Sequence, residues 1–530
     1  MLYLALLAVS LGGIVRFTRW RNILRPLRAT HWPELAMIAA VITFTALVGG
    51  DVTHDSLVHT ARIRYLRDVG FYLQDPYSPM RVMDSRYPVN TYQALYAIGC
   101  WLTREDPLEL WFRSAWFFRL LGFGALEFLA VTFFRRRWVG SVAMLGAVGL
   151  LGTIPRISYP TITAGFVFLP ILLAQVFEVF DRPTRLGYLK IALSSLAFGA
   201  THVGLWLIAA ICVMPSLLGW SGWRKWRGGS SSTGLLAALA LLAGVVFLVL
   251  TAVQPNYIME QEGALYLWML QTLTVGGRWH LAMFRPGQFL WLLPVAAALA
   301  LLLTVRKPIR TTDILVVSIP ATAVLYMFNP VLLTPLMKFI PYWIIRRAFY
   351  VCYAVGFVTI AGGIAWLMRP TLRTRTARLA FAGLVVCAGV TIFNVRAREY
   401  WTGSGLQHKQ LRQLQELQTV MRPVVGARPL IAAEPEISLM LPAVHLCAVM
   451  APSLGNANPA DEGVVRRSKL VEEFLARDTT PERRRAIAAQ YEIEYVVMRT
   501  DSRNENREGF RKISDLVAQG NGFELFKLRP

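Results

Sequence analysis

Along the first three quarters of the chain, apolar runs of roughly 15–25 residues alternate with short polar loops. Most are long enough to cross about 30 Å of hydrocarbon as a helix. The runs fall at 1–15, 33–49, 108–134, 138–154, 162–180, 187–200, 202–220, 234–253, 289–305, 314–328, 351–368 and 379–394, which predicts about twelve crossings. The first resembles the core of a signal peptide, but a basic loop follows it instead of a small-residue cleavage site, so it reads as an anchor. After Phe393 the pattern changes. Leu406, Leu411, Leu414 and Leu417 repeat at helical spacing, and "PLIAAEP" and "EYVVMRTD" read as short buried strands. In "TPERRRAIAAQY", Thr480 opens a helix with Pro481 at its first position. The expected fold is a polytopic α-helical membrane module over 1–394 and an extracytoplasmic α/β domain over 395–530.

Composition agrees with this plan. Of 530 residues, 55% are hydrophobic and only 16% charged, with mean hydropathy +0.45; a soluble chain of this length carries more charge. The net charge of +23 suggests nucleic acid until the cations are located. They gather in alternate loops: Arg16 to Arg28, Arg135 to Arg137, Arg182 to Lys190, Arg224 to Arg227, Arg306 to Arg310 and Arg369 to Arg378. One side of a membrane holds them all, and the positive-inside rule makes that side cytoplasmic. No nucleic-acid partner is therefore expected; membrane lipids are. The protein is expected in a bacterial plasma (inner) membrane, with the loops at 50–107, 155–161, 254–288 and 329–350 and the C-terminal domain facing outward. Cys212, Cys352 and Cys387 lie within spans, and no Cys/His metal spacing, P-loop or dinucleotide fingerprint is present.

The first outward loop, 50–107, is too long for a mere connector. It opens "GGDVTHDSLVHTARIRYLRDVG". On a helix, Asp51 and Asp55 share one face, His59 continues it and Arg62 follows; His54 stands beside Asp55. Asp51, Asp55 and His59 also form a candidate ligand set for a divalent cation such as Mg2+ or Mn2+. The 254–288 loop adds Glu260, Glu262, Arg278 and His280, and the short turn near 156 adds Arg156 and Tyr159. Arg346 and Arg347 precede a span on the outward side, against the positive-inside bias. His202 lies between two short apolar runs. Carboxylates and cations at an outer membrane face suit group transfer from a lipid-linked phosphate donor. Cations hold the phosphate and stabilise the leaving group, and a carboxylate deprotonates an acceptor hydroxyl. Interfacial anchoring explains a single charge at such a position, but two acids and two histidines within nine residues ask for more.

The acidic motif opening the first outer loop, the amphipathic "TYQALYAIGCW", the Thr-His turn in "LAFGATHVGLWL" and the C-terminal domain together resemble the GT-C superfamily of polyprenyl-phosphate-sugar-dependent glycosyltransferases. The resemblance spans most of the chain. It implies an inverting transfer of sugar from a polyprenyl-phosphate donor to a glycan, lipid or protein acceptor, with a first-loop acid as general base. Asp55 or Asp51 matches that acid, and Asp55 is preferred. It implies a second acid in a later outward loop, matched by Glu260 or Glu262. From charge and position alone, Arg346, Arg347, Arg278 and Arg62 are the expected ligands of the donor phosphate. The chain departs from the superfamily's common acidic doublet, having His54-Asp55. A lipid-linked saccharide transporter or a non-catalytic envelope assembly subunit has the same polytopic plan. A transporter, however, concentrates ionisable groups and broken helices near the midplane of paired halves, whereas the charges here cluster at outward ends.

Overall fold

The computed structural model describes residues 50–70, 74–75, 77–82, 91–136, 139–140, 142–144, 155–229, 232–252, 272–275, 279–282, 310–337, 340, 342–367, 408–426, 428–451, 462–500, 507–520 and 522–529. In chain order the helices used below are α1 (His54–Asp68), α2 (Thr91–Thr103), α3 (Pro107–Arg113), α4 (Ala115–Phe134), α5 (Leu169–Asp181), α6 (Arg185–Thr201), α7 (Val203–Trp226), α8 (Ser232–Leu241), α9 (Thr311–Phe328), α10 (Phe349–Leu367), α11 (Pro435–Val444), α12 (Glu462–Leu475) and α13 (Pro481–Tyr491). The chain forms two compact units, one of 1–49, 115–250 and 266–399, the other of 50–114, 251–265 and 400–530.

Membrane-type helices dominate the first unit. Among the described residues, five helices are long and apolar enough to cross a bilayer: Pro107–Phe134, Pro160–Asp181, Val203–Trp226, Ser232–Val249 and Thr311–Phe328. The expected runs at 1–15, 33–49, 289–305 and 379–394 lie outside the described residues, as does most of 138–154. Leu172, Leu173, Val176 and Phe177 of α5 pack in a core with Leu205, Ile208 and Ala209 of α7 and Leu315 and Ile319 of α9. Apolar packing is supplemented by buried hydrogen bonds, which have no water to compete with them in such a setting. Trp206 Nε1 donates to Ser195 Oγ at 2.7 Å, and Ser195 Oγ donates onward to the Leu241 carbonyl at 2.5 Å, linking α7, α6 and α8.

Basic loops gather at one end of this unit. Arg135, just after α4, pairs with Asp181 at the end of α5 at 2.5 Å. Lys190 reaches Glu178 at 3.1 Å. Arg310, before α9, donates to the Phe133 carbonyl at 2.8 Å and pairs with Asp313 at 3.1 Å. The C-terminal end of α7 belongs to the same end, because Trp220 packs edge-on against Phe180 with ring centroids 4.8 Å apart. The opposite end of α7 begins at His202, where extended backbone (φ −157°, ψ 91°) separates α6 from α7.

The second unit joins the first loop's helices to the C-terminal segment. Strands β1 (Gln74–Asp75) and β2 (Ser78–Val82) form a small antiparallel pair, and β3 (Thr272–Val275) and β4 (Trp279–Ala282) form another in the first unit. The five-stranded sheet is made of β5 (Leu430–Ala433), β6 (Ala448–Val449), β7 (Tyr495–Arg499), β8 (Ser514–Gly520) and β9 (Phe523–Leu528), in the order β6-β5-β7-β9-β8. Its β6, β5 and β7 run parallel, while β9 and β8 are antiparallel additions. Residues 408–421 are helical, and Leu411, Leu414 and Leu417 are buried in one core with Ile431, Ile437 and Leu525. That core also takes Val52, Leu57, Ala61 and Tyr77 from the first loop. A second core, on the other face of the sheet, contains Phe474 of α12, Ile487 of α13, Phe510 and Phe526. At the start of α13 the Thr480 side chain accepts from the Arg483 amide at 3.3 Å, with Pro481 in the first turn, a cap that satisfies one otherwise orphaned donor.

Candidate functional site

The acidic stretch of the first loop organises around Trp111, a fully buried residue of α3. Its indole Nε1 donates to the Asp51 carbonyl at 3.0 Å, and its ring stacks on His59 with centroids 5.4 Å apart. Helix α1 begins at His54, after Thr53 in extended conformation (φ −101°, ψ 169°). Asp51 therefore precedes the helix, and the face expected to join Asp51, Asp55 and His59 does not form. The Asp51 carboxylate is 3% exposed and accepts from the Thr53 hydroxyl at 2.8 Å and the Thr53 amide at 3.2 Å. Asp55 is exposed in the first helical turn, where the helix dipole favours a negative charge.

His59 is held differently from its expected role. Gln93 Nε2 donates to its Nδ1 at 2.8 Å, which leaves the ring proton on Nε2. Burial, assisted by the neighbouring charge of Arg62, lowers its pKa to about 3. His59 is thus a neutral imidazole at physiological pH. The ligand set of Asp51, Asp55 and His59 does not fit a metal: one carboxylate is engaged by Thr53, the ring nitrogen by Gln93, and the remaining carboxylate points to solvent. Among the described residues no three His, Cys, Asp or Glu side chains come together as a metal site.

This depressed pKa has a measurable consequence. In the unfolded chain His59 takes up a proton near pH 6.5, whereas in the fold it does so only near pH 3. The unfolded state binds more protons throughout that window, so stability falls as pH falls, by about 1.4 kcal/mol per pH unit. Thermal unfolding of the purified full chain at pH 7 and pH 5 is expected to show this loss, and His59→Gln to lessen it. An equal acid loss in both proteins would refute the assignment.

Arginines after His59 serve the unit's architecture. Arg64 is 4% exposed; it pairs with Asp106 at 2.7 Å and donates from Nε and Nη2 to the Ala443 carbonyl at 3.0 and 2.9 Å. Asp106 also caps α3 by accepting from the Leu108 amide at 3.0 Å and accepts from Gln418 Nε2 at 2.8 Å. Asp106 was not among the residues expected to matter. Its signal was local: Asp before Pro at the start of a helix. Arg67 pairs with its neighbour Asp68 at 2.6 Å, and Arg62 is 7% exposed.

In the membrane unit, two residues that lie 145 positions apart meet. His202 caps α7, its Nδ1 accepting from the Leu205 amide at 3.0 Å. Arg347 Nη1 is in hydrogen-bond contact with that ring, 2.5 Å from Nε2. Arg347 belongs to a 3-10 turn, Arg346–Ala348, that leads into α10. Arg346 beside it is exposed. Gly165 lies in a π-helical turn, Ala164–Phe168, before α5, a distortion frequent at functional sites. A Cβ on Gly165 would sit 2.2 Å from Tyr350 Cδ1, so only glycine lets the start of α10 approach this closely. Arg156 is exposed and lies 5.6 Å from the centroid of the Tyr159 ring, which is itself buried. Of the remaining expected residues, Arg278, Glu260 and Glu262 lie outside the described residues. His54 is the first residue of α1 and His280 lies in β4.

No family model matches the sequence, and no curated protein matches it. Solved structures do. ArnT from Cupriavidus metallidurans bound to undecaprenyl phosphate superposes with TM-score 0.53 at 14% identity, covering 94% of this chain and 98% of that one. The same protein in the apo state gives 0.52 at 12% identity, covering 93% and 97%. This is the GT-C fold. The Archaeoglobus fulgidus oligosaccharyltransferase in its apo form is more distant, with TM-score 0.49, 11% identity, and coverage of 89% and 70%. Within the GT-C fold of this chain, the Trp111 cluster with Asp51 and His59 belongs to one compact unit and the His202–Arg347 pair to the other.

Proposed function

We propose that this chain is an inverting membrane glycosyltransferase that moves a sugar from a polyprenyl-phosphate-linked donor to a glycan, lipid or protein acceptor of the bacterial cell envelope. The observation that carries the reading is the near full-length match to a GT-C structure that holds undecaprenyl phosphate. About twelve helices cross the plasma membrane in this reading, basic loops inward, with the first loop and the domain of 395–530 outside.

Asp55 is the proposed general base. Its carboxylate is exposed, whereas that of Asp51 is buried and bonded to Thr53. The acceptor hydroxyl gives its proton to Asp55 as its oxygen attacks the anomeric carbon from the face opposite the phosphate. The bond between that carbon and the phosphate oxygen breaks, its electron pair leaving with polyprenyl phosphate. Arg347 and His202 are the proposed phosphate ligands. The Arg347 guanidinium brings N–H donors and positive charge to a phosphate oxygen, and a His202 ring that gains a proton as the phosphate binds donates to the same oxygen. Arg346 and Arg278 are proposed to reinforce that cradle. Glu260, Glu262, His54, His280, Arg156 and Tyr159 are proposed to line the sugar and acceptor.

The test is turnover by membranes containing the full chain, supplied with a panel of radiolabelled polyprenyl-phosphate sugars and envelope extract as acceptor. Release of free polyprenyl phosphate, with the sugar transferred at inverted anomeric configuration, is the expected result. Movement of intact donor across the membrane without release would instead identify a transporter, and neither outcome a non-catalytic subunit.

A further inference from the structure

At the end of α7 opposite His202, three tryptophans and three cations occupy eight residues, "WSGWRKWR". The guanidinium of Arg224 lies 5.6 Å from the Trp220 ring centroid. That of Arg227 lies 5.4 Å from Trp223 and 5.8 Å from Trp226. Trp220 is fixed from behind by Phe180, while Trp223 and Trp226 are 44% and 79% exposed. An arginine parked against an indole has one face covered while its N–H groups stay able to meet an acceptor.

Cations at a helix C-terminus are commonly explained by the free carbonyls there. Here backbone amides already serve three of the last four carbonyls. Arg227 N donates to the Trp223 carbonyl at 3.1 Å, Gly228 N to Lys225 at 3.0 Å and Gly229 N to Arg224 at 2.9 Å. Gly228 makes the reversal with φ +73°. Among the described residues, no carboxylate forms an ion pair with Arg224, Lys225 or Arg227. The three charges therefore form an exposed cationic edge on an aromatic platform, at the end of an apolar helix of membrane-spanning length.

We propose that this end of α7 is a binding site for the headgroup of an anionic phospholipid. The phosphodiester accepts from the arginine edges and Lys225, and the acyl chains lie along the apolar flank of α7, with the indoles at the level of the glycerol ester groups. Charge complementarity selects an anionic lipid over a zwitterionic one, and the aromatic platform selects a lipid over a free anion. The site is independent of the glycosyltransferase reading, since it uses none of the residues assigned to turnover.

Native mass spectrometry of the detergent-purified full chain tests it, with cardiolipin or phosphatidylglycerol as probe and phosphatidylcholine as control. The wild type is expected to bind the anionic lipids at least about tenfold more tightly than phosphatidylcholine, and Arg224→Gln/Lys225→Gln/Arg227→Gln to lose about that factor. Trp223→Leu/Trp226→Leu keeps every charge and is expected to weaken binding about threefold to tenfold. If the triple variant does not purify as a monodisperse protein, Arg227→Gln alone is expected to weaken binding about fivefold. Equal binding of phosphatidylcholine, unchanged affinity in these variants, or displacement by millimolar inorganic phosphate would each overturn the proposal.

Discussion

Asp55→Asn is expected to lower turnover about 10²- to 10⁴-fold, the usual contribution of a positioned general base, while donor binding stays within a few-fold. The amide preserves size and shape but does not take up the acceptor's proton. Asp51→Asn is expected to act more weakly, because the Asp51 carboxylate is buried against Thr53 and is anchored through its backbone by Trp111. Its loss rearranges the approach to α1 without removing the base. The decisive measurement is the pair of variants assayed side by side for polyprenyl phosphate release, with equilibrium binding of the donor followed separately. Retained turnover in Asp55→Asn together with loss in Asp51→Asn would transfer the role to Asp51.

Arg64→Ala is expected to be the most damaging stability change in the unit that carries the first loop. It leaves the Asp106 carboxylate without its cation and the Ala443 carbonyl without its donors. Breaking a buried pair from one side costs about 3–5 kcal/mol. For a unit of this size that corresponds to a fall of about 10 °C in its melting temperature. The double change Arg64→Met/Asp106→Asn is expected to recover part of the loss, because asparagine still caps α3 and no uncompensated charge remains. Thermal unfolding of the purified full chain, with proteolysis of 400–530 as a local readout, checks this. A melting temperature within about 1 °C of wild type would show that the pair is replaceable.

What could be read from the sequence follows the reach of the physical signals. The helix over Pro160–Asp181 was expected at 162–180, and the break at His202 was expected between runs ending at 200 and starting at 202. Both rest on local hydrophobicity. Thr480 and Pro481 announce their helix because capping is a contact over three residues. The antiparallel strands β8 and β9 were missed, since β8 is exposed along much of its length and lacks a buried alternation. The shared Asp51–Asp55–His59 face failed because it needs a helix already formed at Asp51, whereas the helix begins at His54. Arg64 with Ala443, 379 positions apart, and His202 with Arg347 depend on tertiary proximity. Residue type and local spacing therefore single out candidates, but not the partners that meet them across the chain.

Arg64 also sets a timetable for biogenesis. Its ligand Ala443 emerges from the ribosome 379 residues later, roughly 20–75 s at ordinary bacterial elongation rates. Throughout that interval the first loop has been made while the strands and helices that complete its core have not. Until then Val52, Leu57 and Ala61 lack the C-terminal residues that bury them, so newly synthesised rather than mature protein is the form most exposed to quality-control proteases.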